Sequence, residues 1–384
     1  MKSSGSSIDE SGITRLSGVR IIATGILLIS SFVLAFLIGE VAVRTMYPQQ
    51  LGMWTYTREG LTLHLPNHTG KSLRFGHEIR TNSFGMRDRE HALKKEASTF
   101  RILVLGDSFM EALQVKFEES FPNLLEKRLQ KAVGRVVEVI NASVSGWGTD
   151  DELTYLIREG GRFDPDLILV AMTLHNDVND NLVEEYHKFE EGEIVERPIT
   201  SLPRFSYALL KVKEWLATNS QMYQVLIRAI RFRRDAKEGE TLNFHVIDLL
   251  RRSPSKRLEQ GWNMTQQLFK KLLTTGHAMN ARVAVVLLPL RVQVYPDAFH
   301  DLVTEASIQE AELDIEAPQR MMETFGSEVG LSIIDLLPNF QYARDKCNCQ
   351  LFIEDDGHWN EQGHLVATEG VVREILRSGW ISSH

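Results

Sequence analysis

The chain has 384 residues, 43% hydrophobic and 24% charged, which is enough apolar material for a sizeable core in one large domain or two smaller ones. A formal net charge of −8 gives no footprint of a nucleic-acid binder, which would show clustered Lys and Arg and a basic domain. The composition is equally unlike that of a disordered chain.

The N-terminus carries the first readable element. After a polar, Ser/Gly-rich lead, the uncharged run Ile21 to Gly39 is about 19 residues long, close to the ~20 needed to cross a bilayer core. A cleavable signal peptide would have a shorter apolar region and a small-residue cleavage site, and "LIGEVAVR" offers a poor one. An uncleaved signal anchor over 21–39 is therefore expected. Lys2, Arg15 and Arg20 precede the span, while Glu40 and Arg44 follow it. That bias puts residues 1–20 in the cytoplasm and the bulk of the chain in the periplasm or outside the cell.

Residues 40–98 read as a connector of short strands and turns. From Phe100 onward, apolar runs alternate with helical periods: "FRILVLG", "VVEVINAS", "PDLILVAMT", "RVAVVLLPL" and "GLSIIDLL" are the strand candidates. The pattern predicts a three-layer α/β/α, flavodoxin-like parallel sheet over about 99–380. A helical insertion over about 180–258 interrupts it. It either packs on the domain surface or forms a lid or membrane-facing element near Arg228, Arg231, Arg233 and Arg234.

The only cysteines, Cys347 and Cys349, stand two residues apart, so free thiols are expected in preference to a strained bridge. Two thiolates do not make a four-ligand zinc site, and no metal is expected. Three Asn-X-Ser/Thr tripeptides, at Asn67, Asn141 and Asn263, carry no weight, since such patterns arise often by chance.

In open parallel sheets, ligands sit beyond the carboxyl ends of the strands. Those ends carry Gly106-Asp107-Ser108, "NASVSGWGTD", "TLHNDVNDN" and, after the last strand, "FIEDDGHWNEQGH". A serine there becomes a nucleophile if a histidine takes its proton, a carboxylate orients the histidine and donors await the oxyanion. Ser108 opens a helix, and Gly106 permits a tight turn before it. His358 is the candidate base, with Asp355 favoured over Asp356 as its acid partner. Gly146 can offer a backbone N–H and Asn176 a side-chain amide, while Asp107 braces the nucleophile loop.

These motifs resemble those of the SGNH hydrolases, also called GDSL esterases and lipases, in a membrane-anchored bacterial form. The likeness covers roughly residues 100–375 and rests on "GDSF", Gly146, Asn176-Asp177 and "DDGHWN". Leu174 stands where the family usually carries glycine, and Phe109 where it carries leucine. The resemblance implies Ser108 as nucleophile, His358 as base and Asp355 as its partner, although related cell-envelope members use the closer spacing of Asp356. It implies an oxyanion hole of the Ser108 N–H, the Gly146 N–H and the Asn176 amide, with no cofactor. The expected activity is a serine-dependent ester hydrolase or O-acyltransferase acting in the envelope on acylated, typically acetylated, polysaccharide. The alternatives are a lysophospholipase or thioesterase on lipid acyl esters, and a non-catalytic scaffold or polysaccharide-binding module.

Overall fold

The structure is a computed structural model that describes residues 10–183, 186–190, 193–197, 202–354 and 356–381. Its described residues fall into two compact units, one formed by the chain up to Gly52 with Trp215–Arg231, the other by the remainder.

The first unit is built on helix α1, Glu10–Met46. Within it, Ile22–Met46 is long and apolar enough to cross a membrane, with a mean hydropathy of 2.5 over its most apolar 18-residue stretch. The helix runs past the expected end at Gly39. Glu40 and Arg44, one turn apart, pair at 2.8 Å and carry it onward.

The second unit holds a five-stranded parallel sheet: β1 Phe100–Leu105, β2 Val137–Asn141, β3 Leu167–Thr173, β4 Arg282–Leu288 and β5 Ser332–Asp335, in the order β5-β4-β3-β1-β2. This is the flavodoxin-like strand order, and the α/β reading stands. Side chains alternate across the strands, so β1 sends Leu103 and Leu105 to one core and Ile102 and Val104 to the other. Both faces are covered, which is why the strands read as continuous apolar runs.

The helices follow in chain order: α2 Ser108–Glu111, α3 Phe121–Val133, α4 Thr149–Arg158, α5 Leu174–Asp180, α6 Arg204–Asn219, α7 Gln221–Leu250, α8 Lys256–Ala278, α9 Arg291–Val294, α10 Pro296–Ala306, α11 Ala317–Val329, α12 Leu337–Cys347 and α13 Glu361–Arg377. Leu153 of α4 and Phe269 of α8 pack in the first core, Leu125 of α3 and Val371 of α13 in the second. Arg101, buried in β1, bonds Glu138 and the carbonyls of Ala92, Leu93 and Phe163, tying the preceding segment to the sheet. That segment contributes two short antiparallel pairs, Trp54–Tyr56 with Thr62–His64 and Thr69–Lys71 with Glu78–Arg80.

The cysteine expectation is corrected, for Cys347 and Cys349 are joined in a disulfide. Asn348, which ends α12 in the left-handed conformation (φ 48°), turns the chain so that the two thiols meet.

Candidate active site

Strand β1 ends at Leu105, and at the next residue, Gly106, an added Cβ would lie 2.7 Å from Met110 and 3.2 Å from Ala171. Only glycine fits there, so Ser108 follows the strand with just two residues between. Asp107 is buried and caps α2, its Oδ1 accepting from the Phe109 N–H at 2.9 Å. Burial pushes this carboxyl up, while the Phe109 bond works against the rise. The helix that Ser108 opens is only four residues long, so a macrodipole contributes little. It stops because Ala112 turns left-handed (φ 56°) and the buried Arg87 guanidinium takes the Glu111, Ala112 and Val115 carbonyls. Burial lowers Arg87 to about 10, and it remains a cation at neutral pH.

On the loop after β5 and α12, the Ile353 carbonyl accepts from Gly357 N–H at 2.9 Å, and Ile353 N–H donates to the His358 carbonyl at 2.8 Å. Gly357 has φ +81°, a turn that folds the side chains on either side of it together. His358 Nδ1 thus lies 2.5 Å from Asp356 Oδ1, and Nε2 lies 2.7 Å from Ser108 Oγ. With Nδ1 donating to the carboxylate, Nε2 is the acceptor for the serine proton. Asp355, the favoured acid by spacing, lies outside the described residues; the carboxylate found on the ring is Asp356. Burial opposes its ionisation, but His358 and Arg74, whose Nη1 is 2.8 Å from Oδ2, prevail and hold it below the usual carboxylate range. Phe109 packs on the imidazole, ring centroids 4.8 Å apart, and on Trp359 at 5.2 Å. Leucine would give that ring no aromatic face.

Asn176 lies in the first turn of α5 and faces the same cavity as Ser108 and His358. Its Nδ2 donates a long 3.5 Å bond to Asp107 Oδ2. Leu174, in place of glycine, is buried and starts the helix. Asp177 Oδ2 accepts from the Thr173 N–H at 3.0 Å, fixing that start. Gly146 follows β2 at φ +83° with open space where a Cβ would be. It is not among the residues lining the cavity. The cavity has a volume of about 340 Å³, and Leu288, Leu290, Leu302 and Phe352 give it an apolar wall.

Beneath the turn lies a network that sequence reading did not single out. The buried Glu111 places Oε1 2.5 Å from His64 Nε2 and accepts at Oε2 from the Ser145 N–H (3.0 Å) and hydroxyl. His64 Nδ1 in turn donates to the Gly85 carbonyl at 3.0 Å. Asn141, one of the Asn-X-Ser/Thr positions, is buried and donates to the Met110 carbonyl at 2.9 Å. The only sequence hint was an acid, Glu111, inside an otherwise apolar stretch.

Among the described residues no group of His, Cys, Asp and Glu is arranged to hold a metal ion. The constellation can move a proton from a hydroxyl to an imidazole with a carboxylate behind it, the chemistry of acyl transfer.

Comparison with known proteins agrees in kind. Residues 250–383 match the family model described as the SGNH hydrolase-like domain of acetyltransferase AlgX. An arylesterase of Vibrio mimicus is 39% identical over 72 residues, 19% of this chain and 36% of that protein, so the match spans about a third of the relative's length. Among solved structures, TesA is 17% identical with a TM-score of 0.37, covering 72% of this chain and 97% of its own. The acetylxylan esterase Axe2 of Geobacillus stearothermophilus is 12% identical with a TM-score of 0.38, covering 74% and 97%. Over residues 250–383, about a third of its length, the chain is similar to an SGNH hydrolase-like domain.

Proposed function

We propose that the protein is a serine-dependent ester hydrolase or O-acyltransferase with Ser108 as nucleophile, His358 as base and Asp356 as the acid that orients it. The observation that carries this reading is the 2.7 Å approach of His358 Nε2 to Ser108 Oγ, with Asp356 on the other ring nitrogen. It favours an enzyme over a scaffold that merely keeps the fold. Ser108 Oγ attacks the ester carbonyl carbon as its proton passes to His358. The Ser108 N–H, the Gly146 N–H and the Asn176 amide receive the oxyanion. Collapse breaks the ester C–O bond, and His358 returns the proton to the departing alcohol. Water or a sugar hydroxyl, deprotonated by His358, then releases the acyl group. Asp107 and Asp177 hold the two loops.

We place residues 21–39 in a membrane, residues 1–20 in the cytoplasm, and the hydrolase-like domain, about 99–380, in the periplasm or outside the cell. The apolar stretch of α1 supports the span. In that setting an acylated polysaccharide is the substrate class we favour, a reading supported by the acetyltransferase description of the matching family.

A second reading, a lipid acyl ester, draws on the apolar wall of the cavity. At the ~30 Å³ of a water-sized group, a cavity of about 340 Å³ holds on the order of ten heavy atoms, more than an acetyl group fills.

The test is hydrolysis of p-nitrophenyl esters from acetate to decanoate by the full chain in detergent, beside its Ser108→Ala variant. Activity lost in the variant by a factor on the order of 10⁴–10⁶ supports the serine mechanism. Equal activity in both rejects Ser108 as nucleophile. A maximum at acetate favours the acetyl reading, and one at hexanoate or octanoate favours the lipid ester.

A further inference from the structure

Residues 53–91 precede the sheet within the same compact unit, and their hydrogen bonds end on the loops that carry the reaction. Arg74 Nη1 donates to Asp356 at 2.8 Å. The Thr62 carbonyl accepts from the Trp147 indole N–H at 2.9 Å, one residue past Gly146. Asp88 Oδ2 accepts from the Asn141 N–H at 2.8 Å, at the last residue of β2. His64 lies against Glu111, which holds Ser145. Arg87 reaches the nucleophile helix itself.

A tight turn presents that arginine. Asn82 Oδ1 accepts from the Phe84 and Met86 N–H groups at 3.0 and 2.9 Å, and Asn82 Nδ2 donates to the Arg89 carbonyl at 2.8 Å. Met86 is buried in the first core, and Phe84 stands edge-on to Phe163 with ring centroids 5.1 Å apart, so the turn is seated on packed side chains. From this seat Arg87 Nη1 donates to the Glu111 carbonyl at 2.8 Å and to that of Ala112, and Nη2 to that of Val115 at 2.7 Å. The N–H groups of Glu111 and Ala112 in turn hold the Asp107 and Ser108 carbonyls, both at 2.9 Å. Guanidinium and nucleophile are thus the two ends of one hydrogen-bonded turn.

Capping a one-turn helix needs no buried cation, since water or an N–H of the following turn serves. Burial opposes the Arg87 charge, and the Glu111 and Glu118 carboxylates offset that cost only in part. What the planar guanidinium adds is a fixed spacing among three carbonyls, which lysine, a point donor, does not impose. We propose that residues 53–91 are a working part of the active site and that Arg87 is a positioning residue for Ser108, fixing the turn that sets the serine hydroxyl against His358. This rests on Ser108 being the nucleophile. The segment that reads from sequence as a connector thereby grips the loops of Ser108, Gly146 and His358 at once.

The test compares the full chain in detergent with its Arg87→Lys variant, which keeps the charge and loses the fork, and with Arg87→Ala, which loses both. The proposal expects both variants, folded by circular dichroism, to lose about 10²-fold in kcat on p-nitrophenyl acetate with KM within about twofold, the cost of a small misplacement of the nucleophile. Labelling of Ser108 by a fluorophosphonate should slow in parallel. Methylguanidinium should restore part of kcat and of the labelling rate in Arg87→Ala and leave the parent unchanged, which lost stability alone would not produce. If Arg87→Ala does not fold, Arg87→Lys decides: a folded variant with the parent's kcat overturns the proposal. A kcat loss that only follows the unfolded fraction, with no rescue, makes Arg87 a stability residue and overturns it too. A parent chain that the fluorophosphonate labels elsewhere, or not at all, removes the nucleophile reading and the proposal with it. Labelling at Ser108 that is as fast in Arg87→Lys as in the parent removes the proposal alone.

Discussion

Asp356 and His358 meet across a single intervening residue, Oδ1 to Nδ1 at 2.5 Å, because Gly357 between them takes a left-handed turn. Asp356→Asn should therefore reduce kcat by a factor of about 10⁴, since the amide no longer holds the imidazole in the tautomer that accepts from serine. Asp355→Asn should leave kcat within a few-fold. Steady-state kinetics on the two variants decide between the acids, and the reverse outcome would return the role to Asp355.

Arg74 contributes its charge to that same carboxylate from a half-exposed position, its Nη1 at 2.8 Å from Asp356 Oδ2. Solvent screens such a pair, so Arg74→Ala should cost only a factor of about two to five in kcat/KM, the equivalent of ~0.4–1 kcal/mol. Removing the cation lets the Asp356 pKa rise. The acid limb of the pH profile should accordingly move to higher pH in the variant. High salt should bring the parent enzyme toward the variant, and salt independence would discard the electrostatic account.

Asn176 stands beside Ser108 in the cavity, and among the described residues its amide nitrogen makes only the long 3.5 Å bond to Asp107. An amide held so loosely is free to turn to a stronger acceptor when charge develops on the substrate oxygen. Asn176→Ala should lower kcat by about 10²–10³ and change KM little, as expected of a donor used in the transition state. An unchanged kcat would mean that Leu174 and the helix it starts have drawn the amide out of the oxyanion hole.

The sheet was legible because its strands are buried on both faces and so appear as unbroken apolar runs such as Leu167–Thr173. Ser108 drew attention because a buried strand followed at once by Gly-Asp-Ser has no packing reason for it, and the structure sets its hydroxyl against His358. For the acid partner the spacing favoured Asp355, which lies outside the described residues, while Asp356 reaches the ring through the φ of Gly357, which no spacing rule supplies. The disulfide escaped for the same reason at Asn348. Glu111, His64 and Arg87 escaped because each finds its partner across distant sequence: His64 and Glu111 are 47 residues apart.

Glu111 grips Ser145, the residue before Gly146, by both its N–H and its hydroxyl. If the Gly146 N–H serves the oxyanion, Glu111 is a positioning residue for it, with His64 holding the other carboxylate oxygen. Glu111→Gln keeps an oxygen for Ser145 and an amide for His64, and should retain most of kcat. Glu111→Ala leaves His64 Nε2 and the Ser145 N–H and hydroxyl without their Glu111 partner, and should lower kcat by at least tenfold with KM little changed. Stopped-flow or steady-state kinetics on variants verified by circular dichroism separate this from a loss of folding. Equal kcat values for the two variants would remove the positioning role.

Behind the catalytic loops, Glu152 and Asp177 are buried, and one Glu152 oxygen, Oε2, has no hydrogen-bond partner among the described residues. Burial, then the neighbouring Asp107 and Asp151, pushes the Glu152 carboxyl well above its ordinary range. Burial, then Glu152 and Asp107, does the same for Asp177. A raised carboxyl keeps its proton in the folded chain at a pH where the unfolded chain has lost it. Stability is therefore greatest near the usual carboxylate range and falls as pH rises toward the raised value. Each such proton sets a slope of about 1.4 kcal/mol per pH unit within that window. Glu152→Gln cannot ionise, and it also removes one of the charges raising Asp177. Its unfolding free energy should match the parent at pH 5 and exceed it increasingly toward pH 8. Urea unfolding of the full chain in detergent across that range measures the difference. Parallel curves for the two proteins would show that Glu152 is already ionised, its charge met by a partner other than the neighbours named here.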